Sequence, residues 1–336
     1  MLVGDLGATK TDRAARGAGV EAELEQYRRE LTGYCYRMLG SAFEAEDAVQ
    51  ETLVRAWRGL DRFEGRAALR SWLYRIATNV CLDMLGSRQR RALPMDLGPA
   101  ATASSPVPDP LPEVSWLGPI PDGRVLADGG DPAEVAVARE TIRLAFVAAL
   151  QHLAPRQRAV LILREVLSWP ASEVAELLET SVASVNSALQ RARATLASVG
   201  AAETDTLQPL DKAQRALLAR YVDAFERYDM DSLASLLHED VTMQMPPLEL
   251  WLRGHADIRA WMLGTGSGCR GSRLVPTVAN GIPAFGQYRP SGPGGRYEPW
   301  ALQVIEISAG RIVGLNQFLD TERLFPLFGL PPRLEP

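Results

Sequence analysis

Residues 169–193 read WPASEVAELLETSVASVNSALQRAR, and this stretch decides how the middle of the chain is built. Its first half predicts a helix over Ala171–Leu178. Val174, Ala175 and Leu178 form its inward face, and the small Ala175 sits where a second helix must come close. Glu179-Thr180-Ser181 breaks the periodicity. A second helix starts near Val182 and turns Val185 and Leu189 inward at helical spacing. Its outward face carries Ser184, Asn186, Ser187, Gln190, Arg191 and Arg193, with no acid among them. This is the pattern of a helix-turn-helix whose second helix reads a major groove. Short polar side chains and amides read base edges there, arginines take guanine or phosphate, and each good bidentate contact is worth ~1–3 kcal/mol. An exposed polar helix of an ordinary bundle has the same face, so the motif alone leaves both readings open.

Upstream, the pattern is helical over residues 21–93. Ala45, Ala48/Val49, Leu53, Ala56/Trp57 and Leu60 make one amphipathic helix, and Leu69, Leu73, Ile76, Val80 and Met84 make another. Gly40-Ser41 punctuates the start of the first, and Gly65 separates the two. Residues 1–20 are small, charged and aperiodic, which predicts a disordered arm. Residues 94–132 hold prolines at 94, 99, 106, 108, 110, 112, 119, 121 and 132 and read as a linker. As a flexible coil it spans roughly 35 Å, and fully extended ~130 Å. Trp116–Pro121 is too apolar for a solvated tether and is expected to dock on a domain surface. Helices resume over 133–200.

Residues 207–330 form a further domain. Helices are expected at Leu207–Arg227 and Asp231–Leu237. Short apolar runs follow at Val241–Met245, Arg273–Val278, Ile282–Arg289, Trp300–Ile307 and Ile312–Leu319, with a hairpin turn at Ala309-Gly310. Helices followed by an antiparallel sheet predict an α+β fold. The fold class is thus multidomain, with two all-α modules and a C-terminal α+β domain.

The 336 residues suffice for two or three cores, and 46% hydrophobic with 23% charged residues is ordinary globular composition. No apolar run approaches the roughly 18 residues of a membrane span, and the N-terminus lacks the pattern of a secretory signal. A cytoplasmic protein with no membrane partner is expected. Cys35, Cys81 and Cys269 are odd in number and scattered, and His152, His238 and His255 lie far apart, so neither a disulfide framework nor a metal site is expected. No cofactor is expected either. The net charge of −5 is unusual for a protein that binds DNA alone, because phosphate neutralisation supplies most non-specific affinity. Yet Arg66, Arg70, Arg75, Arg88, Arg90 and Arg91 face only Glu64 and Asp83 between residues 64 and 91. A locally basic helix on an acidic chain suggests weak binding that a partner assists.

Three motifs in order carry a family resemblance. They are Glu46–Trp57 (EDAVQETLVRAW), Leu69–Asn79 (LRSWLYRIATN), and Leu153–Val160 (LAPRQRAV) followed by the helix-turn-helix. The chain resembles the group-four, extracytoplasmic-function sigma factors of the sigma-70 family. Residues 207–330 resemble the SnoaL-like group of the NTF2-like fold, a cone of curved sheet and helices around a pocket. Tyr221, Phe225, Asp229, Met245-Pro246-Pro247 and Trp251–Gly254 carry that likeness.

The resemblance implies core RNA polymerase and promoter DNA as partners. It makes Asp47, Gln50 and Glu51 the polymerase-docking face, although a solvated acidic face has the same composition. It places the capture of an unstacked promoter base at Glu64–Ala68, including Arg66 and Ala67, with Trp72 nearby as pocket wall or core. Asn79, Arg88, Arg90 and Arg91 become contacts to the melting element. Ser184, Asn186, Ser187, Gln190, Arg191 and Arg193 become readers of the minus-thirty-five-type element. Trp251, Trp300 and Phe318 are candidate walls of a pocket for an unknown small ligand, or simply aromatic core. Two rival functions stand beside this one. One is a helix-turn-helix regulator that acts without polymerase. The other is a fusion whose last domain is a small-molecule enzyme, but His238, Asp240, His255 and Asp257 show no spacing that singles out an acid–base pair, and a non-enzymatic chain is expected.

Overall fold

The computed structural model describes residues 22–60, 63, 68–86, 90–112, 115–126, 129, 132–198 and 211–336. The predicted arm and the calls on Arg66, Ala67 and Arg88 lie outside them. In chain order the principal helices are α1 (Arg28–Leu39), α2 (Ala42–Gly59), α3 (Leu69–Leu85), α4 (Pro132–Glu140) and α5 (Leu144–Leu150). They continue with α6 (Pro155–Leu161), α7 (Ala171–Leu177), α8 (Val182–Ser198), α9 (Lys212–Glu226) and α10 (Met230–Leu236). The last two are α11 (His255–Leu263) and α12 (Thr321–Leu327). The chain divides into two compact units. One holds residues 1–88, 124–127 and 153–199, and the other holds 89–123, 128–152 and 200–336.

The first unit is all-helical. Ser41 caps α2 by accepting from the Glu44 amide, and Ala45, Ala48, Val49, Thr52, Leu53 and Ala56 are its buried stripe. Small residues there let α1 and α3 approach closely. Trp57, paired with Ala56 as an inward position from the periodicity, is instead 60% exposed. The three- and four-residue steps diverge by that turn, and only Ala56 stays on the stripe. Buried Tyr34 shares a 2.7 Å hydrogen bond with Thr78 and meets the Tyr74 ring edge-on at 5.1 Å, tying α1 to α3. In the helix-turn-helix, α7 buries Val174, Ala175 and Leu177, with Leu178 only half-buried, a one-residue shift from expectation. Glu179, at φ 51°, turns the chain into α8, which buries Val185, Leu189 and Ala192.

Within this unit α3 packs against the helix-turn-helix module. The Tyr74 and Trp169 rings lie 4.9 Å apart, and the Arg70 guanidinium sits 5.4 Å from each. Glu30 holds Arg70 from behind at 3.0 Å, and Arg75 donates to the Glu176 carbonyl at 3.2 Å. Arg158 of α6, buried, donates to the Met38 carbonyl at the end of α1. An aromatic pair contributes about 0.5–1.5 kcal/mol beyond its burial, and a cation over a ring about 0.5–1 kcal/mol where solvent has access.

The second unit is built on a six-stranded sheet in the order β2-β1-β6-β5-β4-β3. The strands are β1 (Leu237–Gln244), β2 (Trp251–Arg253), β3 (Arg273–Ala279), β4 (Ile282–Arg289), β5 (Glu298–Ser308) and β6 (Arg311–Phe318). The sheet is mixed: β1 pairs with β6 in parallel, and the remaining neighbours are antiparallel. Short β2, too brief to show alternation, escaped the sequence pattern. Ala309 and Gly310, at φ 48° and 73°, form the predicted hairpin turn. Asp211 caps α9 in a reciprocal box with Gln214, and Asp229 caps α10 through the Ser232 amide. These helices, with α11, cover one face of the sheet around a core that includes Tyr221, Phe225, Met243, Ile305 and Leu315.

The proline-rich segment follows this domain's surface. The Ala101 amide donates to the Trp251 carbonyl at 2.8 Å, Trp251 Nε1 donates to Gly98, and the Leu111 amide donates to Pro247 at 2.9 Å. Leu117 and Ile120 are buried, as their apolarity suggested. At the β3–β4 turn, buried Asn280 accepts from the Ile120 amide at 3.0 Å and donates through Nδ2 to the Ile142 carbonyl at 2.7 Å. Next to it the Gly281 amide donates to Asp122 at 2.8 Å. These contacts come from residues far apart in sequence, so no local pattern announces them.

Candidate nucleic-acid interface and an internal cavity

On α2, Asp47, Gln50 and Glu51 are all exposed and lie on one face at three- and four-residue spacing. The same rows bring Trp57 into line with Gln50, so an aromatic side chain stands uncovered on that side of the helix. Glu51 is paired with Arg55 at 2.6 Å. Sequence reasoning missed Trp57 as a surface residue because it read the ring as core.

On α3, Asn79 is exposed, whereas Trp72 is half-buried against Phe63 at a ring separation of 5.0 Å. Arg90 is exposed, and its guanidinium contacts the His152 ring, whose Nδ1 lies 2.5 Å away. Burial and the Arg90 charge hold the His152 pKa below its usual value. Arg91 departs from the expectation of a strand contact. It is buried, donates to the Trp116 carbonyl, and burial lowers its pKa to about 10. Here an arginine at the end of a basic run anchors the linker instead of facing solvent.

On α8, Ser184, Asn186, Gln190, Arg191 and Arg193 are exposed and Ser187 is half-buried. Ser181 caps the helix by accepting from the Ser184 amide at 3.1 Å. Arg191 donates to Ser187 at 2.7 Å, and Arg193 pairs with Glu165 at 2.6 Å. Both arginines are therefore held locally, and an exposed pair of this kind exchanges for a phosphate at little cost. Val182, also exposed, begins the helix and adds an apolar group suited to a thymine methyl.

The α+β domain contains a cavity of about 240 Å³. Tyr221, Phe225, Met243 and Leu315 supply apolar wall, and Val107 of the proline-rich segment stands at its edge. A hydrogen-bonded row crosses the wall. Tyr221 donates to Gln303 at 2.8 Å, Gln303 to Gln287 at 2.8 Å, Gln287 to Ser272 at 3.0 Å, and Ser272 to the Cys269 carbonyl at 2.7 Å. Burial pushes the Tyr221 and Cys269 pKa values up, so both stay neutral. Trp300 lines the cavity. Trp251 and Phe318 do not: the first holds the linker through Gly98, and the second is core. His238 and His255 line a separate surface hollow, and Asp240 pairs with Arg253. Among the described residues no group of His, Cys, Asp and Glu could hold a metal ion, and no helix is long and apolar enough to cross a membrane.

Residues 24–91 match the family described as Sigma-70 region 2, residues 143–196 match Sigma-70, region 4, and residues 218–315 match the SnoaL-like domain. The chain is 46% identical over 329 residues to the ECF RNA polymerase sigma factor SigG of Mycobacterium tuberculosis, covering 95% of this chain and 86% of that protein. It is 28% identical over 312 residues to SigJ of the same organism, covering 90% and 92% respectively. The crystal structure of that organism's extracytoplasmic function sigma factor SigJ superimposes with a TM-score of 0.58 at 25% identity, covering 92% of this chain and 99% of that one. Two helical modules with a helix-turn-helix, followed by a fused SnoaL-like domain, and a relative this similar along nearly the whole chain establish the affiliation: the chain belongs to the extracytoplasmic-function (ECF) RNA polymerase sigma factors.

Proposed function

We propose that this chain binds core RNA polymerase through the α2 face of Asp47, Gln50, Glu51 and Trp57 and directs the enzyme to promoters in the cytoplasm. The exposure of that face together with the acid-free outward face of α8 carries the reading. Residues 21–93 act at the melting element, with Asn79 and Arg90 on the DNA and Trp72 beside the base-capturing loop that holds Arg66 and Ala67. Arg88 is a further contact to the DNA. Residues 133–200 read the distal element through Ser184, Asn186, Ser187, Gln190, Arg191 and Arg193. The two elements lie on the order of 50 Å apart, about one and a half turns of duplex. The Tyr74–Trp169 contact at 4.9 Å therefore opens before both are engaged. Polymerase supplies that opening, and holding one module on DNA makes the second contact effectively intramolecular.

The domain at 207–330 tunes this step by retaining the linker at 94–132, because a docked linker has less reach than a free one. Its cavity is lined by no carboxylate or imidazole among the described residues, which favours binding a small ligand over acid–base catalysis. Run-off transcription with core polymerase tests the proposal. The full chain co-purifies with core and starts transcripts at its promoter, and a chain ending at residue 206 still binds core but gives altered output. Failure to associate with core removes the whole reading. Unchanged output removes only the regulatory role of the last domain.

A further inference from the structure

The cavity of the α+β domain carries one charge without a counter-charge. Arg289, at the end of β4, lines it, with its guanidinium carbon 3.9 Å from the centre of the Trp300 ring. No carboxylate of the described residues pairs with it. Glu298 is its register partner on β5, but that carboxylate lies against Gly292 instead. Gly268 makes room for the guanidinium: a Cβ there would fall 1.9 Å from Arg289 Nη2. The cation is thus steered towards the cavity, stacked on an aromatic face and short of an anion. Beyond it the wall is apolar except for Thr265, Gln317 and the glutamine row, which offer hydrogen bonds but no charge.

We infer that this cavity binds an amphipathic monocarboxylate, with its carboxylate on Arg289 and a flat apolar body between Trp300, Phe225 and Met243. The inference rests on the ligand-binding reading above and specifies its chemistry. Arginine presents a planar fork that matches a carboxylate in two parallel hydrogen bonds, and the half-buried setting strengthens them. A volume of about 240 Å³ is small for a ligand pocket and suits a body of one or two fused rings. Val107 touches the same space, so an occupied cavity gains contact with a docked linker and favours docking.

The experiment uses the full-length chain and two probes of equal shape, 2-naphthoate and the neutral 2-naphthalenemethanol, with binding followed by calorimetry. The acid binds at least tenfold more tightly than the alcohol. Arg289→Gln removes that preference, weakening the acid tenfold or more and leaving the alcohol unchanged, while Arg289→Lys restores part of it. Gly268→Ala, which displaces the guanidinium, also weakens the acid selectively. Hydrogen exchange at the Ala101 and Leu111 amides slows when 2-naphthoate is bound. Equal affinity for the two probes, or an Arg289→Gln effect shared by both, overturns the carboxylate assignment and leaves a neutral-ligand cavity standing. Binding of neither probe to the folded chain overturns the ligand reading itself along with this one.

Discussion

Replacing Asn280 with glycine isolates what holds the linker. The native residue sits at φ 55°, a region glycine enters freely, so Asn280→Gly removes the side chain without straining the backbone. Two buried hydrogen bonds vanish, from the Ile120 amide at 3.0 Å and to the Ile142 carbonyl at 2.7 Å. The backbone bond from the Asn280 amide to the Ile120 carbonyl, at 3.0 Å, persists. Each orphaned buried group costs ~1–3 kcal/mol, and only the Ile120 amide belongs to the linker, so docking loses about 1–3 kcal/mol, with the lower figure applying where water refills the vacated space. About 2 kcal/mol, the middle of that range, raises the open fraction roughly thirtyfold. Hydrogen exchange reads this directly. The Gly281 amide, bonded to Asp122, and the Leu117 amide, bonded to Ala92, lose protection by roughly thirtyfold in the variant, while the β5–β6 amides keep theirs. Unaltered protection at Gly281 and Leu117 would show that the side chain is not the clasp. Equal loss across the sheet would show that it supports the domain as a whole.

Trp57→Ala leaves the melting temperature within the range of a neutral surface change, ~0.5 kcal/mol, because the ring is 60% exposed, yet it weakens core polymerase binding tenfold or more in a pull-down titration. Trp169→Leu removes the ring stack and the cation contact, together worth about 1–2.5 kcal/mol, and shifts the two helical modules apart roughly 5- to 70-fold in population. Energy transfer between dyes on cysteines introduced at exposed positions 79 and 191 then falls, and unchanged transfer in a folded variant refutes the contact's role. Burial raises the Asp122 pKa against the opposing pull of the Gly281 amide and Arg139. A raised carboxyl contributes most below its unfolded value, near ~3.9, and that contribution is lost as pH rises through the folded value. Asp122→Asn keeps an acceptor for Gly281 without the charge, so it raises the melting temperature at neutral pH and flattens its fall above about pH 4; a lower neutral-pH melting temperature contradicts this.

The sequence made legible whatever rests on local periodicity. The α2 stripe and the α7–α8 pair repeat at spacings that one chain segment displays by itself, and the strands of the last domain stand out as short apolar runs between turn residues. Its errors came where one turn offers two adjacent apolar positions, as with Ala56 and Trp57 or Leu177 and Leu178, since pattern alone does not choose the inward one. The remaining gaps are long-range. Docking of residues 98–111 on β2 and its neighbours, the burial of Arg91 under Trp116, and the parallel pairing of β1 with β6 all depend on partners distant in the chain. The cavity was only partly visible for the same reason. Trp300 was singled out by its aromaticity, but Arg289 and the glutamines carry no motif until the strands are side by side.

The row from Tyr221 to the Cys269 carbonyl has a direction, since Gln303, Gln287 and Ser272 each accept from one neighbour and donate to the next. Such a file tolerates no inner member that can only accept. Exchanging Gln303 for glutamate leaves the Gln287 oxygen with no donor in front of it, and the polarity of the whole file must reverse or break at that link. One atom's difference, nitrogen to oxygen, would thus be felt at both ends of the file.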